Sequence, residues 1–446
     1  MTTDLLQTGW TDFDSAELRF ILLECIGKPG QYDGRDSNPN TFYLPLAGPS
    51  CRIKLTFSDS KQIVAIEPGA AFDATQWEQV VEEVERTGPH KVGRDCSFSS
   101  YRVGGSWRGK RSGVQILPPP ADAPVAPVEM AEHPFILEYP VKVSDNWQIT
   151  NFRRRREHRR LTLLLNVLLA GSTTIQPSRP KHLWAIVSEE GFGSENVKWV
   201  QEFYFANFGE IIQDEFSAPA AETLEEIESE RYYATVGHDG RGLRVPADLD
   251  DSICCYMGLS KANRDKFLLA GFWMDMASRQ WTLSVSASFA SLAIAVETLG
   301  ERASRPTARF RNFIERYAPG ASLEKRRTEM YALRSDILHG SELMEMDQDA
   351  HFGWAPPEHN EEELLRDLWG LTRIAMRNWL RNPLPTKSGK DVGTAHPLPA
   401  AAEPCVPRSP VTRKQKRDTS YFASQRFAGL SCVALNVSLS FPLCQG

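Results

Sequence analysis

The sequence predicts a multidomain α+β protein: a β-rich N-terminal module, a mixed α/β middle module, and an all-α, up-and-down helical bundle on the C-terminal side. Three observations lead there. The chain has 446 residues and 41% hydrophobic content, enough for two or three ordinary cores. Up to residue 117 its apolar residues fall in short, β-type runs broken by Gly, Pro, Asn and Asp. Beyond about residue 250 they recur at helical spacing over much longer stretches.

The first module, 1–117, contains LRFILLEC, TFYLPL, CRIKLTF and KQIVAIE, with one helix expected at Thr75 to Arg86. The stretch PPPADAPVAPVEMAEHP, 118–134, is rich in proline and without period, so it reads as a linker or extended strap. The middle module, 135–249, opens on the basic run NFRRRREHRR and continues through a strand-like HLWAIVSE, an aromatic stretch around Trp199, Phe203, Tyr204 and Phe205, and an acidic run before Tyr232. The aromatics read as core and the acidic run as a solvated helix face. The bundle, 250–385, has candidate helices at 259–278, 281–299, 307–317, 322–339 and 360–381, joined by short Gly, Pro or Ser connections. Past 386 periodicity is lost, and 386–446 reads as a disordered tail.

Charge and cysteine usage narrow the function classes. A net charge of −6 gives no global field for nucleic acid, so any such binding rests on local patches. The eight cysteines contain no C-x-x-C pair, which argues for neither a zinc knuckle nor a disulfide framework. Reduced thiols in a cytoplasmic setting are expected. The N-terminus lacks the basic start and apolar block of a secretion signal, and no apolar run approaches the ~20 residues of a membrane span.

The segment YALRSDILHG, 331–340, places an arginine and a histidine five positions apart in a leucine-rich helix. At 100° per residue Met330, Leu333 and Ile337 form the core stripe, while Ser335 and His339 lie on the outer face and Arg334 on the flank. Leu338 then sits on a face that should be wet, and a second copy of the chain would cover it. Chemically, a histidine can exchange protons near neutral pH and a guanidinium can grip phosphate oxygens with paired donors. Those are the needs of RNA cleavage by its own 2′-hydroxyl, which requires no metal or cofactor. The bare R-x4-6-H pattern is unspecific, since Arg153 with His158 and Arg231 with His238 also satisfy it.

Context favours Arg334 with His339. YALRSDILHG, together with SLAIAVETL at 291–299, FRNFIERY at 310–317 and DLWGLTRIAMRNWL at 367–380, resembles the Apea-like HEPN family over about 130 residues. The resemblance implies an HEPN-like bundle, a homodimer, and a metal-independent endoribonuclease. It also implies a role in phage defence or as a toxin. On it, Arg334 would stabilise the scissile phosphate and His339 would act as general acid or base. Ser335 stands where catalytic members carry Asn, Asp or His, which keeps open a catalytically silent module that binds RNA or a partner protein. Glu297, in the facing helix, could orient Arg334 or be an ordinary helix-surface charge, and the second reading is favoured.

Two other signals point elsewhere. Arg153, Arg154, Arg155, Arg156, Arg159 and Arg160 form a dense positive run suited to docking an RNA substrate, or else to pairing with the acidic runs at 222–230 and 361–363. Gly104, Gly109 and Lys110 match a phosphate-loop pattern, but Arg111 replaces the magnesium-binding Ser or Thr, so a basic hairpin turn is expected.

Overall fold

The computed structural model describes residues 3–4, 9–10, 13–26, 41–45, 52–58, 62–67, 74–86, 90–121, 133–169, 173–174, 183–188, 197–202, 211–234, 242–281, 283–301, 306–319, 324–348 and 359–384. The tail beyond 386, His238 of the second Arg/His pair, and the aromatics Phe203, Tyr204 and Phe205 lie outside the described residues.

Strands β1 (Thr3–Asp4), β2 (Thr41–Pro45), β3 (Arg52–Phe57) and β4 (Ile63–Glu67) form an antiparallel sheet in the order β1-β4-β3-β2. It packs with helices α1 (Ser15–Cys25) and α2 (Ala74–Glu85) around a small core of Leu18, Ile21, Leu22, Ile53, Leu55, Ile66 and Val80. Helix α1 begins where the sequence supplies a cap: Asp14 accepts from the amides of Ala16 and Glu17, both at 3.0 Å.

The second sheet joins β5 (His90–Ser99), β6 (Trp107–Arg108), β7 (Gln115–Leu117), β8 (His133–Lys142), β9 (Thr173–Thr174) and β12 (Ile212–Gln213) in the order β12-β5-β8-β7-β6, with β9 also on β5. Strands β5 and β8 pair antiparallel from His90↔Lys142 to Ser99↔His133. The boundary expected at 118–134 therefore does not separate two modules, because its flanking strands share one hydrogen-bonded ladder. The period signal saw a proline-rich gap; it carried no information on which strands pair across it. Residues 183–188 and 197–202 form the hairpin β10–β11, and β13 (Glu226–Ile227) pairs parallel with β14 (Val245–Pro246).

Helix α3 (Trp147–Leu168) is the strut of the molecule. Its first turn puts Ile149 into the small N-terminal core, and its second half puts Leu161, Leu164, Leu165 and Leu168 into the main core. That main core runs from the second sheet through α5 (Leu249–Met257) into the C-terminal helices, while the short helix α4 (Ser229–Ala234) packs against β14. These are α6 (Lys261–Gln280), α7 (Val285–Leu299), α8 (Pro306–Tyr317), α9 (Glu324–His339) and α10 (His359–Arg381), close to the five expected helices. Small residues admit close packing here: a Cβ on Gly271 of α6 would lie 3.6 Å from Leu163 of α3. Helix α7 touches α6, α8, α9 and α10 and is almost wholly buried, which its alanine- and serine-rich sequence permits. Among the described residues no helix is long and apolar enough to cross a membrane.

The phosphate-loop pattern falls in the expected hairpin, since β6 pairs antiparallel with β7. The turn between them does present amides to an anion, but the anion is internal. Arg111 and Ser112 donate backbone N–H groups to Asp250 at 2.9 and 3.0 Å. A Cβ on Gly109 would meet that same carboxylate at 2.4 Å, so the glycine is there for close approach. Burial of Asp250 is outweighed by these hydrogen bonds, which hold its pKa below the ordinary carboxylate range.

Candidate active site

Helix α9 places its core stripe as expected, with Met330 fully buried and Leu333 nearly so. Its C-terminus closes in a Schellman motif. Gly340 takes φ +71°, its amide reaches the Ile337 carbonyl at 3.1 Å, and the Ser341 amide reaches the Asp336 carbonyl at 2.9 Å. The loop that follows is pinned to α7. Met344, fully buried, donates its amide to Ser286 Oγ at 2.9 Å. Asp347 accepts from Ser284 Oγ at 2.7 Å and from the amides of Val285 at 2.9 Å and Ser286 at 2.7 Å. Asp347 thus caps α7, and although burial acts to raise its pKa, those bonds hold it below the ordinary carboxylate range. His339 is the last residue of α9, fixed in position by this anchored turn, with an exposed side chain and no hydrogen-bond partner among the described residues.

Arg334 lies one and a half turns earlier and turns inward instead of round the helix. Its Nη2 donates to Glu297 Oε2 on α7 at 2.7 Å, with side chains 15% and 14% exposed. The guanidinium carbon stands 5.6 Å from the Tyr331 ring centre, and that ring leans on Phe310 of α8 at 5.9 Å. Glu297 is therefore not the free surface charge that sequence reading made of it. Burial raises its pKa above the usual carboxylate range, with Arg334 and Arg309 acting in the opposite sense. Among the described residues, Arg334 Nε and Glu297 Oε1 are buried without a hydrogen-bond partner.

The structure does not bring Arg334 and His339 into contact. Helix geometry separates them by roughly 7.5 Å of rise and about 140° of rotation. Ser335 is half-buried between them, without a hydrogen-bond partner among the described residues. Beside His339, Leu338 is 43% exposed, and Leu343 on the anchored loop is 48% exposed. The wet leucine expected from the helical wheel is present.

The arginine run of α3 is dispersed in another way. Arg153 is buried and donates from Nε to Glu17 at 2.6 Å and from Nη1 to Glu83 at 3.3 Å. Arg154 pairs with Asp95 of β5, Arg156 with Glu17 and Asp14, and Arg160 with Asp14. Only Arg155 and Arg159 are exposed. Four of the six expected substrate-binding arginines are thus internal fasteners, and the carboxylates they engage are Asp14, Glu17, Glu83 and Asp95, with Glu157 on α3 itself, instead of the acidic runs at 222–230 or 361–363.

The rival pair Arg153 and His158 is internal as well. His158 is buried, with Nε2 2.7 Å from Ser97 Oγ and Nδ1 3.7 Å from Asp95, and its ring stacks on Tyr139. Serine, histidine and aspartate in this order are the parts of a nucleophilic triad. Ser97 is fully buried, so no substrate reaches it, and the cluster is a polar weld between α3 and β5. Among the described residues no group of three or more His, Cys, Asp or Glu side chains is placed to hold a metal ion.

Compared with family models, with curated proteins and with solved structures, the chain matches none.

Proposed function

We propose that the chain is a metal-independent endoribonuclease of the HEPN type, working as a homodimer in which Arg334 and His339 serve the scissile phosphate. The observation that carries the reading is the Arg334–Glu297 pair. A half-buried carboxylate fixes one edge of a guanidinium at the flank of the same helix whose exposed end carries His339. An arginine held in this way is preorganised to receive negative charge without losing side-chain freedom at that moment.

In the reaction, a base removes the proton of the RNA 2′-hydroxyl and that oxygen attacks the adjacent phosphorus. The bond to the 5′-oxygen breaks, an acid returns a proton to it, and the products are a 2′,3′-cyclic phosphate and a 5′-hydroxyl. His339 supplies one of the two proton transfers, and a second His339 across a symmetric pair supplies the other. Arg334 neutralises charge on the non-bridging oxygens. The 140° between the two side chains on one helix is what makes a second copy necessary, and the exposed Leu338 and Leu343 give that copy an apolar surface to cover. Loops and single strands are the expected substrates, because in-line attack needs a flexible backbone.

The test is cleavage of single-stranded RNA by wild-type and His339→Ala protein, with the ends identified. Cyclic phosphate ends that vanish in the variant and persist in EDTA support the reading. Equal cleavage by the variant, or loss of cleavage in EDTA, overturns it. A second reading, a silent module that binds RNA or a partner protein, is favoured by Ser335, a poorer hydrogen-bonder than the residues expected there. Protein that shifts RNA but never produces cyclic ends would establish it.

A further inference from the structure

At the junction of α7 and α8 there is a cleft of about 210 Å³ lined by Gly300, Glu301, Arg309, Asn312, Phe313, Arg316, Tyr317 and Leu384. We propose that this cleft holds one nucleotide of a single-stranded RNA, its phosphate on Arg309 and Arg316 and its base edge on Asn312. The inference rests on the nuclease reading for what the RNA is doing there, and deepens it by naming where the chain flanking the scissile phosphate lies.

The cleft exists because α7 ends on a glycine. A Cβ at Gly300 would stand 2.3 Å from Arg309 Cγ, so only glycine lets the Arg309 stem cross the helix end. Arg309 Nε then donates to the Glu301 carbonyl at 3.0 Å, which sets its guanidinium plane at the mouth. The carbonyls of Leu299 and Gly300 are engaged by Lys266 Nζ, each at 3.3 Å, adding a third cation behind that rim.

The floor is rigid and aromatic. Phe313 and Tyr317 are nearly buried with ring centres 5.0 Å apart, and Tyr317 is held at both ends. Its hydroxyl donates to the Asn382 carbonyl at 2.9 Å, and its own carbonyl accepts from Asn378 Nδ2 at 2.7 Å. Arg316 lies over that ring at 5.4 Å with its side chain 52% exposed. The Glu301 carboxylate is 4.0 Å away and 65% exposed, a weak solvated contact that a phosphate would displace. Asn312, exposed one turn before Arg316, carries both a donor and an acceptor, the complement of a base edge.

The volume fits one base with its ribose and lies below that of drug-sized pockets. Position also links the cleft to the candidate active site. Glu297 is one turn before Gly300 on α7, and Arg309 acts electrostatically on it alongside Arg334. Arg309 and Arg334 thus act on the same carboxylate, which ties the basic rim of the cleft to the candidate active site.

The experiment uses the full chain and a short single-stranded RNA of mixed sequence with every 2′-hydroxyl methylated, so that binding is read without cleavage. Fluorescence anisotropy compares wild type with Arg316→Gln and Asn312→Ala, both exposed positions, after matching their thermal melting curves. Arg316→Gln should weaken binding roughly tenfold, the worth of one charge-assisted hydrogen bond. Asn312→Ala should change the order in which AMP, GMP, CMP and UMP compete, and each should compete better than inorganic phosphate. Failure of wild type to bind, identical binding by both variants, or phosphate competing as well as the nucleotides would each overturn the proposal. Because the probe cannot be cut, a cleft that binds in a protein that never cleaves sinks the nuclease reading alone.

Discussion

Replacing Arg153 by methionine tests whether the basic run of α3 is a fastener or an RNA dock. In the folded protein this guanidinium donates to Glu17 at 2.6 Å, to the Glu83 carboxylate at 3.3 Å and to the Glu83 carbonyl at 3.1 Å, all inside the seam between α3, α1 and α2. Removing one partner of a buried pair costs about 3–5 kcal/mol, because the other charge stays behind. Here the remaining charges are not fully abandoned. Glu17 keeps Arg156, and Glu83 keeps the Ser144 hydroxyl at 2.7 Å and Arg86 at 3.4 Å. Methionine also fills most of the vacated stem volume. The loss should therefore fall at the lower end, about 3 kcal/mol, read by urea unfolding followed through tryptophan fluorescence. Affinity of the folded fraction for single-stranded RNA should be unchanged. Arg155→Glu and Arg159→Glu, both exposed, should leave stability within about 0.5 kcal/mol. A stable Arg153→Met protein with weakened RNA binding would refute the fastener argument and restore the docking one.

Three further outcomes are expected. Glu297→Gln keeps an acceptor near Arg334 but removes the charge that holds it, so cleavage should fall at least about tenfold while stability moves by no more than about 1 kcal/mol, since a buried carboxylate is lost along with its pair. Equal cleavage would show that Arg334 needs no holder. Leu338→Glu, on a side chain already 43% exposed, should leave the fold intact but convert a dimer to a monomer in light scattering and abolish cleavage; a monomeric wild type would end that argument. His158 is held neutral, its basicity lowered by burial despite Asp95, with Arg154 adding to the effect. A base whose folded-state affinity for protons is depressed loses stability as pH falls through its ordinary titration range near 6.5. Unfolding at pH 5 should therefore be easier than at pH 7, and His158→Gln should flatten that difference; an unchanged slope would assign it to another group.

The C-terminal helices were legible because their information is local. Apolar spacing is carried within a few residues, and the observed helices lie within a few residues of their expected bounds. Gly340 at the end of α9 was legible for the same reason, since a left-handed residue after a helix is a glycine signature. The partners of α3 were not legible. Glu17 and Glu83 are 136 and 70 residues from Arg153, and no period or motif links them. Glu297 was misjudged likewise: on its own helix it looks like a surface charge, and only the approach of α9 makes it a partner. The second sheet was split by a proline-rich gap that says nothing about pairing. The cleft beside Gly300 went unnoticed because its lining comes from α7, α8 and the residues after α10 together.

The ladder between β5 and β8 has a practical corollary for anyone handling the protein. A protease that nicks the chain between 122 and 132 would sever one peptide bond and leave the ten-residue register from His90↔Lys142 to Ser99↔His133 untouched. The two pieces should co-elute under native conditions and separate only in denaturant, so the intact mass on a sizing column is no guarantee of an intact backbone.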